Sequence, residues 1–252
     1  MKIVIVGGCF TQQKNIPYSR LYHQTIKDAF EKAGIPVEIK IIRYESVSKS
    51  MEKIINTSNQ SHFDLLIFHL RAEPIMRMSK LYLRYINNEG KLKKTLNLPK
   101  LTNSSQELKM GNKLGNSCAK DIWSGKENKT YHLLRELNYM FGSALGNKEY
   151  ALNMLEKLIV QIQDYCFGQN KKFLLLGPVS RPFSIFENKL SAEISEKFQL
   201  FSAERSINYL ALIKKKTTNN QSMFFENGIH VSQAGHDEIA NMIFSRLNPE
   251  SH

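Results

Sequence analysis

Short apolar runs bounded by turn residues recur along the chain, and longer segments with apolar residues at three- and four-residue spacing lie between them. The runs Lys2 to Val6, Val37 to Ile42, Leu65 to Leu70, Phe173 to Leu176 and Ile207 to Ile213 predict strands. Helical spacing covers Tyr18 to Ala33, Val47 to Ile55, Ile75 to Ile86, Tyr131 to Phe141, Tyr150 to Phe167, Asn188 to Ser202 and Gln233 to Leu247. Gly34 stands where it can stop the first helix, and Ser232 where it can start the last. Strands that alternate with helices predict an α/β domain with a parallel sheet. The strands are apolar throughout, as expected when helices cover both faces of the sheet.

Residues 87–129 break this pattern. They carry nine lysines against four acidic residues, with scattered Gly, Asn and Ser and no clear period. The stretch is much longer than a usual connection. It reads as a solvated excursion or as a basic lid over the site with Trp123 as its anchor. No repeat and no linker is evident, so residues 1–252 read as a single domain with one insertion.

Composition narrows the function classes. The chain of 252 residues is 42% hydrophobic, enough for a sizeable core. No run of apolar residues reaches the length of a membrane span. The opening "MKIVIVGG" suits a buried first strand better than a signal peptide. Cys9, Cys118 and Cys166 are widely spaced and form no CxxC, which points to a reducing, cytoplasmic setting without a disulfide framework or zinc site. The net charge of +12 admits nucleic acid, an acidic substrate or an anionic surface as partner. Lys, Asn and Ile are abundant throughout, however, and no RNP-like motif, Arg-rich stripe or zinc-finger spacing is present, so nucleic acid ranks last.

The candidate chemistry sits at the two ends of the chain. "IVIVGGCFTQQ" puts Gly7, Gly8, Cys9, Phe10 and Thr11 directly after the first strand. In open parallel sheets ligands bind beyond the carboxyl ends of strands, where this turn lies. Neither GxGxxG nor GK[ST] is present, so a phosphate cradle is a poor reading. At the other end, "ENGIHVSQAGHDEIANMIF" crowds Gly228, His230, Gly235 and His236 into the approach to the last helix, which helix formation alone does not require.

Together the two blocks resemble the SGNH/GDSL hydrolase family. Its first block is a strand followed by Gly-Asp-Ser-Leu-Thr, and its last is Asp-x-x-His, often Asp-Gly-Ile-His, with Gly-His soon after. "GGCFT" matches at Gly7 and Thr11, with Gly8 in the aspartate position and Cys9 in the place of the nucleophilic serine. "NGIHVSQAGH" puts Asn227 in the aspartate position and His230 in that of the base, and Gly235 and His236 match the Gly-His pair. The resemblance spans most of the chain and implies a three-layer α/β/α domain with a flavodoxin-like, five-stranded parallel sheet. It implies no cofactor and no metal. His236 is expected to cap or pack the last helix.

Two departures bear on activity. The family draws oxyanion donors from the nucleophile's own N–H, a glycine after the second strand and an asparagine after the third. Here "IIRYESVSKS" has no glycine, while "FHLRAEP" puts Arg71 at the expected glycine and Glu73 at the asparagine position. Loss of one such donor typically costs about 10²–10³ in rate. Either Arg71 supplies replacement positive charge or ordinary ester chemistry is gone; Arg71 could equally pair with Glu73 or Glu45.

The substitutions at the triad positions are chemically consistent with one another. A thiol starts near a pKa of about 8.5 and can pass its proton to histidine before substrate arrives. That histidine needs orientation more than charge compensation, and an asparagine can orient it, as in Cys-His-Asn enzymes of unrelated fold. Cys9, His230 and Asn227 therefore read as nucleophile, base and orienter. Singly, each has a plainer reading: a small packing cysteine and a structural histidine. Gly8, Phe10, Arg71, Glu73 and Arg181 read as oxyanion or substrate-binding positions, with Arg181 in "RPFSIF" meeting an acidic substrate or only water. Two functions follow. One is acyl transfer to water (esterase or thioesterase) or to a second nucleophile (acyltransferase), from a small-molecule or carrier-bound acyl substrate, with an anionic one favoured by the basic insertion. The other is an inactive protein of the same fold that binds a carbohydrate, peptide or other anionic ligand. Oligomeric state is not legible in the sequence.

Overall fold

The computed structural model describes residues 1–11, 16–43, 47–60, 62–72, 75, 133, 136–137, 139–140, 148–182, 184–212, 223–225 and 230–248, with Cys9 and residues 47–49 described by backbone alone. The predicted helix Ile75 to Ile86 beyond its first residue, the basic segment 87–129, Glu45, Glu73 and Asn227 lie outside these residues.

Five strands form one parallel sheet: β1 (Lys2–Gly7), β2 (Glu38–Arg43), β3 (Leu65–His69), β4 (Lys172–Leu176) and β5 (Asn208–Leu210), in the order β2-β1-β3-β4-β5. Ile3 to Val6 stand opposite Ile39 to Ile42 on one side and Leu65 to Phe68 on the other. The helices with described bounds are α1 (Tyr22–Lys32), α2 (Val47–Gln60), α3 (Lys148–Gly168), α4 (Ile185–Glu204) and α5 (Gln233–Leu247). The sheet grows one way from β1 to β2 and the other way from β3 to β5, so right-handed crossovers put the connecting helices on opposite faces. Alternation along the strands follows. Ile3, Ile5, Leu65, Ile67, Leu174 and Leu176 share a core with α1 and α5. Val4, Val6, Leu66, Phe68 and Leu175 share the other with α2, α3 and α4.

All five predicted strands are present, with small shifts in their bounds. β5 is shorter than Ile207 to Ile213, and the edge strand β2 is exposed at Glu38, Lys40 and Arg43, so the expectation of strands buried on both faces holds only for the central ones. The first helical segment divides into a 3-10 turn at Tyr18–Arg20 and α1 from Tyr22. α1 ends in a Schellman motif: Gly34 has φ +80°, its N–H donates to Glu31 O at 3.0 Å, and Ile35 N–H donates to Phe30 O at 2.9 Å. α5 spans the predicted residues, and Ser232 Oγ accepts the Gly235 N–H at 3.2 Å as its cap.

Candidate active site

Helices in this architecture run back across the sheet, so the carboxyl ends of β1, β3 and β4 and the amino ends of α1 and α5 meet on one rim. β1 delivers Gly8 and a 3-10 turn at Cys9–Thr11 to that rim. Thr11 closes the turn twice, its N–H and its buried hydroxyl both donating to Gly8 O at 3.1 and 2.7 Å. Phe10 is buried and belongs to the apolar cluster that contains Val231 and Phe224 beside His230.

Gly8 has a steric reason. A Cβ there would stand 2.0 Å from Nη1 and 2.1 Å from Cζ of Arg71. The guanidinium, carried in from beyond β3, thus lies against the backbone just before Cys9. Sequence reading left Arg71 open between surface pairing and a role at the turn. Its contact with Gly8 puts it beside the turn, half-buried, while Glu45 and Glu73, the carboxylates it could also pair with, lie outside the described residues.

His230 is 3% exposed and stands two residues before Ser232, the cap of α5. Its carbonyl accepts the Phe225 N–H at 3.0 Å, Ser232 N–H donates to Met223 O at 2.8 Å, and Phe224 and Val231 form an antiparallel bridge. These bonds tie residues 223–225 to residues 230–232. The Met223 carbonyl passes over Gly235, where a Cβ would come within 2.3 Å of it. That close approach is why the position before His236 is glycine.

His236 packs α5 against α1 instead of capping its own helix. Its Nδ1 accepts the N–H of Tyr22, the first residue of α1, at 3.2 Å, and the rings stack at 6.0 Å. Accepting at Nδ1 leaves the proton of the neutral ring on Nε2. Burial, and then the neighbouring His23, lower its pKa to about 4; burial alone lowers that of His23 to about 4. Burial raises the pKa of the Tyr22 hydroxyl.

The sequence left Arg181 open between an acidic substrate and water; in the fold its side chain is nearly buried and makes contacts within the protein. Its Nε pairs with Glu187 Oε1 at 3.0 Å, with both side chains nearly buried, and its guanidinium lies over the Phe10 ring at 5.0 Å. Its backbone N–H donates to Asn188 Oδ1 at 2.7 Å, and its carbonyl accepts from Asn188 Nδ2 at 2.6 Å. Arg181 therefore clamps the loop after β4 onto α4 and braces Phe10. Glu136 supports the same helix end by accepting the Ile185 and Phe186 N–H groups at 2.9 Å and the Ser184 hydroxyl.

One rim residue escaped sequence reading. His69 ends β3, is 1% exposed, and its ring lies 6.0 Å from that of Phe10. Burial, then Arg71 and Arg181, lower its pKa to about 3. In the sequence it is one more residue of an apolar strand; only the pattern "FHLR", a polar residue at the strand's carboxyl end, marks it. A hollow of about 270 Å³ lies at the opposite rim beside Lys171 and Ile207 and is lined by none of these groups.

Comparison of the sequence with protein families and with curated proteins returns no match. Comparison of the fold with solved structures does. The chain is similar to TesA, with TM-score 0.57, 11% identity and 99% of each chain covered. It is similar to a member of the lipolytic protein G-D-S-L family from Veillonella parvula, with TM-score 0.54, 11% identity, and 99% of this chain and 97% of that one covered. It is also similar to a catalytic mutant of Axe2, an acetylxylan esterase from Geobacillus stearothermophilus, with TM-score 0.56, 9% identity, and 98% of this chain and 93% of that one covered. The fold is that of the SGNH/GDSL hydrolases, as the two terminal blocks imply.

Proposed function

We propose that the protein is an acyl-transfer enzyme with Cys9 as nucleophile, His230 as base and Asn227 as its orienter. The Cys9 thiolate attacks the carbonyl carbon of a thioester or ester, and the π electrons of the carbonyl move to oxygen. The tetrahedral oxyanion takes hydrogen bonds from the Cys9 N–H and positive charge from Arg71. As the oxyanion collapses, the leaving group departs with the proton that His230 took from the thiol. Water or a second nucleophile then attacks the Cys9 thioester, His230 accepts its proton, and the thiol is restored.

The observation that carries this reading is the Arg71 guanidinium seated on Gly8, directly before Cys9. It supports a cationic replacement for the two donors that the sequence lacks. The shared apolar cluster of Phe10 and Val231 supports a common location for Cys9 and His230, and the esterases and lipolytic proteins of the same fold support acyl chemistry. Segment 87–129, with its nine lysines, is the proposed lid.

The test is acylation by generic thioesters, followed by peptide mapping. A thioester adduct on Cys9, and its loss together with turnover in Cys9→Ala, is expected. Full activity in Cys9→Ala with no adduct sinks the proposal and leaves the reading of an inactive, ligand-binding relative.

A further inference from the structure

His69 closes β3, and no step of the acyl transfer above uses it. Its place follows from the sheet. Val6 of β1 stands opposite Phe68 of β3, so the next step along both strands brings His69 level with Gly7, two residues before Cys9. Neighbouring strands lie about 4.8 Å apart. Alternation sends Phe68 into the core with α2, α3 and α4, and Ile67 into the core with α1 and α5. His69 follows Ile67, and its ring contact at 6.0 Å with Phe10, a member of that second core, agrees. Val231, next to His230, belongs to the same core.

The ring is 1% exposed, and neither of its nitrogens has a hydrogen-bond partner among the described residues. Such a group carries a desolvation cost that no bond offsets, and its retention asks for a reason. Burial, and then Arg71 and Arg181, keep the ring neutral. A neutral imidazole has one N–H donor, which can polarise a carbonyl without giving up its proton. The ring lines a crevice of about 20 Å³ at the carboxyl ends of the strands, together with Phe10 and Val179. That volume takes one water. A single carbonyl oxygen is of the same size, whereas a carboxylate or a phosphoryl group is too large.

We propose that the crevice receives the carbonyl oxygen of the acyl group under attack by Cys9, and that the ring N–H of His69 is a catalytic hydrogen-bond donor to the oxyanion. The inference rests on the acyl-transfer reading above and adds a second N–H to the one that Cys9 itself supplies. No bond to His69 forms or breaks. The carbonyl electron pair moves onto oxygen, the N–H···O contact strengthens as charge develops, and the proton stays on nitrogen. No described group engages either ring nitrogen, so the oxygen itself selects the tautomer that faces it. The ring is unpaired in the free protein because its partner is the substrate.

The experiment compares two reactions of the Cys9 thiol in the full chain, each read by mapping the Cys9 peptide. Phenyl thioacetate acylates the thiol through a tetrahedral oxyanion, whereas iodoacetamide alkylates it by displacing iodide and forms no oxyanion. His69→Leu removes the donor. It should slow acylation by about 10²–10³, the usual loss for one oxyanion donor, and leave alkylation at the parent rate. Its denaturant midpoint should equal or exceed that of the parent, since an apolar side chain in place of an unpaired polar one removes a desolvation cost. Asparagine and glutamine offer an amide N–H near the reach of Nδ1 and Nε2, so the better placed of His69→Asn and His69→Gln should regain part of the lost acylation. Acylation at the parent rate in His69→Leu, loss of acylation and alkylation together, or no regain in either amide variant overturns the inference. A parent that is alkylated but never acylated at Cys9 overturns the acyl-transfer reading and this inference with it. Parent acylation that His69→Leu matches overturns this inference alone.

Discussion

At the scale of single residues, the site is organised by what a glycine admits. Gly8 is glycine because the Arg71 guanidinium occupies the space of a side chain. The obstructing atoms belong to the far end of a flexible residue, so Gly8→Ala can be accommodated by swinging Arg71 away. We expect Gly8→Ala to fold with stability close to that of the parent, yet to lose acyl transfer by about 10²–10³, the usual effect of removing one oxyanion-stabilising group. Thermal unfolding and thioester turnover measured side by side check this; parent-like turnover would remove Arg71 from the chemistry. Gly235 is the opposite case. There the obstacle is the Met223 backbone carbonyl at 2.3 Å, which cannot rotate aside. Gly235→Ala should therefore destabilise by about 1–3 kcal/mol, the range for overpacking. A denaturant midpoint equal to that of the parent would contradict the tight crossing.

At the scale of elements, α1 and α5 are joined at their amino ends by Tyr22, His23 and His236. The His236 ring accepts an N–H that α1 would otherwise leave unpaired, and it can do so only while neutral. His23 and His236 titrate near 4 and His69 near 3 in the folded chain, because burial opposes their charged forms, against about 6.5 when unfolded. The sign follows: between these values the unfolded chain binds more protons than the folded one, so stability rises with pH. It is fully present above about pH 6.5 and is lost as pH falls toward 4, by up to about 1.4 kcal/mol per pH unit for each histidine. Urea midpoints measured from pH 7.5 down to 4.5 should fall steadily, and His236→Gln should shallow the slope. A flat profile would show that the folded rings take up protons freely. These joints were not legible beforehand. Ser232, Gly34 and the bounds of α5 could be read because caps and periodicity are local in sequence. The partners of His236, Arg181 and Glu136 lie far off in sequence or require a knowledge of which atoms meet, and no spacing rule reports that.

At the scale of the molecule, the strand and helix pattern gave the α/β class, and the two terminal blocks implied the sheet that is observed. Fold and site were legible to different degrees for a physical reason. A sheet of this topology needs only apolar runs, turns and handed crossovers, and many sequences meet those demands. A site needs a few side chains at fixed distances, and here the donors differ from those of the resembled family at Arg71 and Glu73. His69 went unremarked because a histidine closing an apolar strand looks like any other half-polar strand end. What joins fold to site is the convergence of the chain's beginning and its end on one rim, which makes coupling of the Cys9 thiol to the His230 ring the central claim. The most direct measurement is the pH dependence of Cys9 alkylation, followed by mapping of the modified peptide so that Cys118 and Cys166 are excluded. The account predicts a Cys9 thiol that reacts with a pKa well below the free value of about 8.5 and returns toward that value in His230→Ala. A thiol with ordinary reactivity, unchanged when His230 is removed, would contradict it.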